Sequence, residues 1–320
     1  MKVSLVIPCY NEECVISDTV KTLSDLLRDF LSEGLIDAGS EILIIDDGSR
    51  DKSWDLIRRA ANLREPGSPI SIKGLRLSRN RGHQNALLAG LEAAKGDFVV
   101  TIDADLQDDV QAIKGMIEHA RQGVDIVYGV RSIRDADSFF KRFTAHFFYN
   151  LMGFFGVELI FNHADFRGMS SRAVRAMLQY TEVNLFLRGI LPHLGFTTAL
   201  VFYERRKRQA GETKYPLRKM LSFAWQGVTS FSIFPLRMLT FIGLSIALPS
   251  FGIIIWVLYQ HYFSATTVPG WTSTIVPLMF FSGLEFLAFG IIGEYLGKIY
   301  LETKRRPRYF IAETIGDEND

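Results

Sequence analysis

The chain has 320 residues, 48% of them hydrophobic and 22% charged, with a formal net charge of +1 at pH 7. That balance excludes a disordered chain and leaves room for both a soluble core and membrane-embedded segments. With no global field to attract nucleic acid, none is expected as a partner, and any basic surface has to be local.

The opening MKVSLVIP carries one lysine and an apolar run too short for a signal peptide, so the N-terminal part is expected in the cytosol. Cys9 and Cys14 lack a metal-ligand pattern and read as reduced thiols of that compartment. From there short apolar runs alternate with amphipathic stretches. Residues 3–7 form an apolar run stopped by Pro8. Residues 15–31 then place Val20, Leu23, Leu27 and Leu31 at helical spacing. A second run at 41–45 ends in Asp46-Asp47-Gly48, and residues 54–63 again read as helix. Runs at 70–77, 98–102 and 125–128, with a helical stretch at 84–94, continue the series. Strands alternating with helices predict an α/β fold, a mostly parallel sheet covered on both faces. Ligands bind such sheets beyond the carboxyl ends of the strands. The clusters Tyr10-Asn11-Glu12, Asp46-Asp47 and Asp103-Ala104-Asp105 all fall at such ends.

The second half changes character. Residues 139–156 are aromatic and basic, too polar to span a bilayer, and suit a helix in the membrane interface; a core helix is the alternative. After a basic cluster at 205–208, residues 211–236 read as a juxtamembrane amphipathic segment. Residues 238–259 hold no charge and are long enough to cross roughly 30 Å of hydrocarbon. Residues 275–295 are similar except for Glu285 and Glu294. The connector has no lysine or arginine, whereas Arg237, Lys298, Lys304, Arg305, Arg306 and Arg308 flank the pair. The positive-inside rule then predicts a hairpin at 237–297 with both ends cytosolic. Glu285, costly at mid-membrane, is assigned a contact within or between subunits before any role in lipid handling. The division expected is a catalytic domain at 1–210, the juxtamembrane segment, the hairpin, and a basic cytosolic tail at 298–320 that is loose after Arg308.

The acidic stretch TIDADLQDD, residues 101–109, closes an apolar strand. Magnesium or manganese prefers carboxylate oxygens and leaves positions for phosphates, so Asp103 and Asp105 can share an ion that also holds a diphosphate. A DxD alone is weak, and a solvated turn or helix capping by Asp108 and Asp109 would also produce it. The apolar strand before it and the acids on neighbouring strand ends favour the metal.

PCYNE (8–12), DDGSRD (46–51), LSRNRGHQNALLAG (77–90) and DADLQDD (103–109) resemble the family 2 glycosyltransferases of GT-A fold. GVR (129–131), ADFRGMSSR (164–172), NLFLRGI (184–190), GETKYPLRKM (211–220) and FGIIGEYLGKIYLETKRRPRYF (289–310) are similar to the polyprenyl-phosphate glycosyltransferases among them. That branch includes bactoprenol glucosyltransferases, undecaprenyl-phosphate 4-deoxy-4-formamido-arabinose transferases and dolichol-phosphate mannosyltransferases. The likeness runs in order along nearly the whole chain. Departures are QDD where relatives often carry proline, and Gly168 where a longer residue is usual. No Arg-Trp pair of the processive synthases occurs, which favours a single transfer.

The resemblance implies roles. Pro8, Tyr10, Glu12, Asp46, Asp47, Arg79 and Ala104 would line the nucleotide sugar, and Asp103, Asp105 and Gln107 would hold Mg2+ or Mn2+ and the diphosphate. Asp165 would stand near the sugar as the catalytic carboxylate, with Asp105 and Arg131. Arg131 and Arg142, helped by Arg188 and Lys214, would bind the acceptor phosphate; anionic headgroups are the alternative for Arg142. Arg79, Arg81 and His83 precede a helix whose free amides favour anions. The implied activity is an inverting transfer from a nucleotide sugar, a UDP-sugar first, to polyprenyl phosphate at the cytosolic face of the inner membrane. A GDP-mannose-dependent enzyme is the alternative, and so is a nonenzymatic scaffold on a degenerate transferase domain. Relatives of this kind suggest a homo-oligomer such as a tetramer.

Overall fold

The computed structural model describes residues 1–63, 69–131, 163–182, 187–204 and 271–316, with isolated positions between 236 and 252. The chain divides into two compact units. One comprises residues 1–149, 158–214 and 306–320, the other residues 150–157 and 215–305.

In the first unit, one mixed sheet is built from β1 (Val3–Cys9), β2 (Ser40–Asp46), β3 (Ile70–Leu77), β4 (Phe98–Thr101), β5 (Ile126–Arg131), β6 (His163–Ser170), β7 (Thr198–Tyr203) and β8 (Ile311–Ile315). Their order across the sheet is β7-β5-β6-β4-β1-β2-β3-β8. The sequences VSLVIPC and SEILIID are buried along their whole length, as strands covered on both faces require. Each fully buried Leu or Ile there contributes about 1.5–3 kcal/mol. The described helices of this unit are α1 (Ile16–Ser32), α2 (Ser53–Asn62), α3 (His83–Ala93), α4 (Ala112–Arg121), α5 (Ser171–Leu178) and α6 (Leu187–His193). In α1, Val20, Leu23 and Leu27 enter the core as their spacing predicts. Phe30 enters it as well, and Leu31 is left at the margin.

The strands are not all parallel. β6 runs antiparallel to both β4 and β5, and β8 runs antiparallel to β3. Gly168 lies in β6 opposite Val100, and a Cβ there would fall 2.3 Å from Phe98 Cζ. The space of the missing side chain is thus taken by a buried phenyl ring.

Residues 306–316 correct the expectation of a loose tail. Glu313 accepts hydrogen bonds from Trp54 Nε1 at 2.9 Å and Arg58 at 2.7 Å, and Ser78 N donates to the Phe310 carbonyl at 2.9 Å. Arg308 donates to the carbonyls of Tyr180 and Glu182, both at 2.8 Å, and the Tyr309 hydroxyl bonds Glu92. Open donors and acceptors along β3 are a template for another strand, and this segment fills it. The predicted limit of the catalytic domain at 210 therefore misses its last strand.

In the second unit, α7 (Trp271–Lys304) is a continuous 34-residue helix. Glu285 and Glu294 interrupt its apolar run, and among the described residues no helix is long and apolar enough to cross a membrane. The predicted hairpin is not carried by the described residues. The interfacial stretch at 139–156 lies outside them, as do most of 211–236 and 238–259.

Two substitutions test the packing. Gly168→Ala is expected to destabilise the folded chain by about 1–3 kcal/mol, read from denaturant midpoints, because the added methyl would overlap the buried Phe98 ring. Asp125 is a buried acceptor for Arg172 NH2 at 2.5 Å, Ser170 Oγ at 2.8 Å and Thr197 Oγ1 at 3.0 Å, and the Arg172 bond foremost holds its carboxyl below the usual range. A depressed folded pKa gives stability that is full above the unfolded value of about 3.9 and lost as pH falls through the folded one. Asp125→Asn should therefore cost roughly 1.5–3 kcal/mol at pH 7, with the difference from the parent chain shrinking below pH ~4.

Candidate active site

Strand directions decide which residues meet. β1, β2, β3 and β4 are parallel, and β5, antiparallel to β6 as β4 is, points the same way with β7 beside it. Their carboxyl ends, and the start of the reversed β6, therefore share one edge. Tyr10 to Glu12 follow β1, Asp46-Asp47 close β2, residues 103–109 follow β4, and Arg131 and Tyr203 end β5 and β7. Asp165 reaches this edge only because β6 is reversed. Sequence order turns back across β1 and β4, and a crevice is expected at such a switch.

On the β1–β2 side, polar side chains lace two loops together. Asn11, at φ +55°, receives a bond at its side-chain oxygen from Arg50 N at 3.0 Å, and its own amide donates to Ser49 Oγ at 2.9 Å. Glu12 N donates to Ser53 Oγ at 2.8 Å. Asp46 is buried, accepts from Ser49 N at 3.2 Å and faces Arg76 Nε at 3.4 Å. Asp47 accepts from the amides of Arg81 and Gly82, at 2.7 and 2.8 Å, and so fixes the entry to α3. Burial raises both carboxyls, while these hydrogen bonds oppose it. Gly48, at φ +68°, lets the chain pass where a Cβ would be 2.7 Å from the Arg79 carbonyl carbon.

Pro8 is buried in β1 opposite Ile45, and Ala104 is buried with its carbonyl accepting from Thr19 Oγ1 at 2.6 Å, so both side chains shape this edge from within. Tyr10 and Arg79 are exposed at the same edge, and Glu12 is half-buried.

The acids beyond β4 meet α3 and β6. His83 Nε2, on the first turn of α3, stands 3.7 Å from both Asp103 Oδ1 and Asp165 Oδ2. The other oxygen of Asp165 receives Arg167 NH2 at 2.8 Å, and Thr101 Oγ1 donates to the Asp165 carbonyl. Arg167 is fully buried, so the carboxylate of Asp165 is anchored from beneath. Asp105 accepts from the Gln107 side-chain amide and, at 3.3 Å, from its backbone N–H. Enclosure by the cleft raises the Asp103 carboxyl; Asp165, Asp108 and Asp105 add to this, and His83 opposes it. With 44% of its side-chain surface open, Asp103 is walled by a cleft and not sunk in the core.

Asp108 is buried and receives Arg131 Nε at 3.1 Å, Arg131 NH2 at 2.9 Å and the Tyr203 hydroxyl at 2.7 Å. Burial, then the Asp108 charge, pushes the Tyr203 phenol up. Asp108 is thus a partner of Arg131 and not a helix cap; Asp109 accepts Gln111 N at 3.3 Å in the turn before α4, whose start has no side-chain cap. Of the other cations assigned to the acceptor, Arg142 and Lys214 lie outside the described residues, and so does the side chain of Arg188 in α6.

Asp108, Arg167 and Tyr203 are the residues that sequence reasoning missed. Asp108 and Arg167 lie inside quoted motifs, but Asp108 reads as a helix cap or part of a solvated turn, and Arg167 carries no signal of its own. Tyr203 gave no signal beyond its place at a strand end.

No group of three or more His, Cys, Asp or Glu side chains placed to hold a metal occurs among the described residues. Two carboxylates, Asp103 and Asp105, do stand on one turn, and burial, with the neighbouring acids adding to it, raises Asp103. A magnesium-type ion takes one or two carboxylates and completes its shell with water and substrate phosphate, so this pair fits a metal that arrives with its substrate.

Residues 4–178 match the family described as glycosyl transferase family 2. The chain belongs to that family. An uncharacterized glycosyltransferase YkoT of Bacillus subtilis is 47% identical, with 98% of this chain and 92% of the relative covered. The bactoprenol glucosyl transferase of Shigella phage SfX is 40% identical over 97% of this chain and 99% of its own. The prophage bactoprenol glucosyl transferase homolog of Escherichia coli is 39% identical over 97% and 98%. Among solved structures, glucosyl-3-phosphoglycerate synthase from Mycobacterium tuberculosis, in complex with Mn2+, UDP and phosphoglyceric acid, matches at TM-score 0.45 and 20% identity over 71% of this chain and 76% of that one. That likeness is too loose to say anything of this site. Family membership makes the chain a glycosyltransferase with the GT-A mixed sheet, and the scaffold alternative falls with it.

Cys9 closes β1 beneath this edge, and burial, with Asp46 and Glu12 adding, pushes its thiol up to about 12. A thiolate-seeking reagent at pH 8 should therefore label exposed Cys14 in the native enzyme and Cys9 only after unfolding, giving one and then two adducts by mass spectrometry.

Proposed function

We propose that this enzyme is membrane-bound and transfers one sugar, with inversion, from a nucleotide sugar to polyprenyl phosphate on the cytosolic face of the inner membrane. UDP-glucose or a related UDP-sugar is the donor, undecaprenyl phosphate the acceptor, and polyprenyl-phosphate-sugar for cell-envelope or lipopolysaccharide modification the product. The observation that carries the reading is the convergence of Asp103, Asp105, Asp165 and Arg131 on one sheet edge. Its substrate class is supported by relatives named bactoprenol glucosyl transferase that are 39% and 40% identical along almost the whole chain. The hairpin at 237–297, the interfacial stretch at 139–156, cytosolic termini and a homo-oligomer such as a tetramer belong to the same proposal.

A phosphate oxygen of the lipid attacks the anomeric carbon while the bond from that carbon to the nucleotide diphosphate breaks, and the bonding pair leaves with the diphosphate. Attack opposite the leaving group inverts the configuration. A phosphate monoester has a second pKa near 6 and is largely dianionic at neutral pH, so no strong base is required. Catalysis then rests on alignment and on charge. Asp165, anchored by Arg167, faces the sugar and orients its hydroxyls. Arg131, whose guanidinium matches phosphate geometry, holds the acceptor. Asp103 and Asp105, with Gln107 orienting Asp105, would bind Mg2+ or Mn2+, which when bound neutralises charge on the departing diphosphate.

The test incubates purified chain and Mn2+ or Mg2+ with undecaprenyl phosphate and a panel of radiolabelled nucleotide sugars, UDP-glucose and GDP-mannose included. Label from one donor should enter the organic phase, and Asp105→Ala should lower the rate by about 10²–10³-fold. Label from GDP-mannose alone would replace the donor. No lipid label from a folded sample that binds nucleotide would overturn the acceptor.

A further inference from the structure

We infer that Asp108 is a positioning residue, which with the Tyr203 hydroxyl holds Arg131 for the acceptor phosphate and ties it to the loop that carries the donor-side acids. The inference rests on the transfer proposed above. Three observations carry it. First, the pair is unequally buried: the Asp108 side chain is 2% exposed, whereas that of Arg131 keeps 30% of its surface open. The buried carboxylate fixes the guanidinium, while partial exposure spares the cation part of its desolvation cost and leaves it within reach of a ligand at the sheet edge. Second, both Nε and NH2 of Arg131 are spent on this one carboxylate, and Nε also lies 3.3 Å from the Tyr203 hydroxyl. Held along one edge, the guanidinium keeps a fixed plane, which two-point phosphate binding needs. Third, the support is itself immobile. Tyr203 is buried, its ring meets Phe166 edge-on at 5.2 Å, and Phe166 lies between Asp165 and Arg167 in sequence.

The connectivity adds a consequence. Asp108 is three residues after Asp105 on the same loop, while Arg131 and Tyr203 close β5 and β7, paired opposite one another. One carboxylate thus stands between the acids proposed for the donor and the cation proposed for the acceptor.

Asp108→Asn keeps the shape and removes the charge, and Tyr203→Phe removes one hydroxyl. In the full-length enzyme, Asp108→Asn should raise the KM for undecaprenyl phosphate by roughly tenfold to a hundredfold, the size expected when a positioned group moves by about 1 Å. UDP affinity measured with Mn2+ should be unchanged. Tyr203→Phe should move the same KM in the same direction by less. In an Arg131→Lys background, Asp108→Asn should add little, because the two residues act as a unit. If Asp108→Asn does not fold, as thermal unfolding would reveal, Tyr203→Phe carries the test. An unchanged lipid KM in a folded variant, or lipid KM and UDP affinity worsening together, would overturn the inference. A wild-type enzyme that transfers nothing to lipid phosphate would overturn this inference and the proposed function together, whereas an active wild type with unaffected variants would overturn the inference alone.

Discussion

Crowding of carboxylates at one edge of a sheet is the constraint on which the rest of the site depends. Asp46, Asp47, Asp103, Asp105, Asp108 and Asp165 all arrive there, and like charges in an enclosed space repel strongly. The chain answers each one differently. Asp46 has Ser49 and Arg76, Asp47 the amides of Arg81 and Gly82, Asp105 the Gln107 amide, Asp108 the Arg131 guanidinium, and Asp165 the buried Arg167. Asp103 faces His83 at 3.7 Å, and burial first, then its acidic neighbours, raises its carboxyl, as burial also raises Asp46 and Asp47. Asp103 and Asp105 are the pair on one turn beside which a divalent cation with its diphosphate would fit.

Such an arrangement holds only if the strand ends do not move, and the connections show how that is secured. Loops after β1 and β2 are stitched by Asn11, Ser49 and Ser53, and Asp47 fastens the turn that presents His83. On the far side, β8 closes the edge of β3, with Glu313 bonded to Trp54 and Arg58 on α2 and Tyr309 bonded to Glu92 on α3. The residues that follow α7 are thus part of the catalytic sheet. A chain whose last strand comes after its long apolar helix completes the catalytic unit only when that strand returns.

Much of this was legible in the sequence, for identifiable reasons. Apolar runs buried on both faces announce themselves, so β1, β2 and β3 and the helices between them lie within a residue or two of their predicted limits. Acids at strand ends are equally visible, which is how Asp103 and Asp105 stand out; Asp165 is marked only by the family resemblance of ADFR. Strand direction was not legible. The reversal of β6 follows from pairing across the sheet, and it alone brings Asp165 to the same edge as Asp103. The eleven letters after Arg305 that form the clasp looked like a tail because a five-residue edge strand has no periodicity to speak of. Partners of buried charges were hidden for the same reason: Asp108 and Tyr203 are 95 residues apart in the chain, and nothing local couples them.

The two ends of the sheet make the functional assignment sharper when set side by side. At the amino ends, Glu41 is buried and bonds Ser4 Oγ at 2.6 Å, the Lys95 amide at 2.7 Å and Lys73 Nζ at 2.9 Å, with Lys73 only 13% exposed. Burial would raise Glu41, but those bonds outweigh it and its carboxyl is lowered. Both charges there are enclosed and mutually satisfied, the condition under which a buried pair is tolerated. At the carboxyl ends, Asp108 is as deeply buried as Glu41, yet its partner Arg131 is more than twice as exposed as Lys73. Desolvation of the carboxylate is incurred in both cases, and Arg131, like Arg172 beside buried Asp125, keeps part of its side chain accessible. Exposure of the cation therefore does not by itself separate structure from function; what fits Arg131 to an anionic acceptor is its place at the edge where Asp103, Asp105 and Asp165 converge, held there by a carboxylate from the same loop.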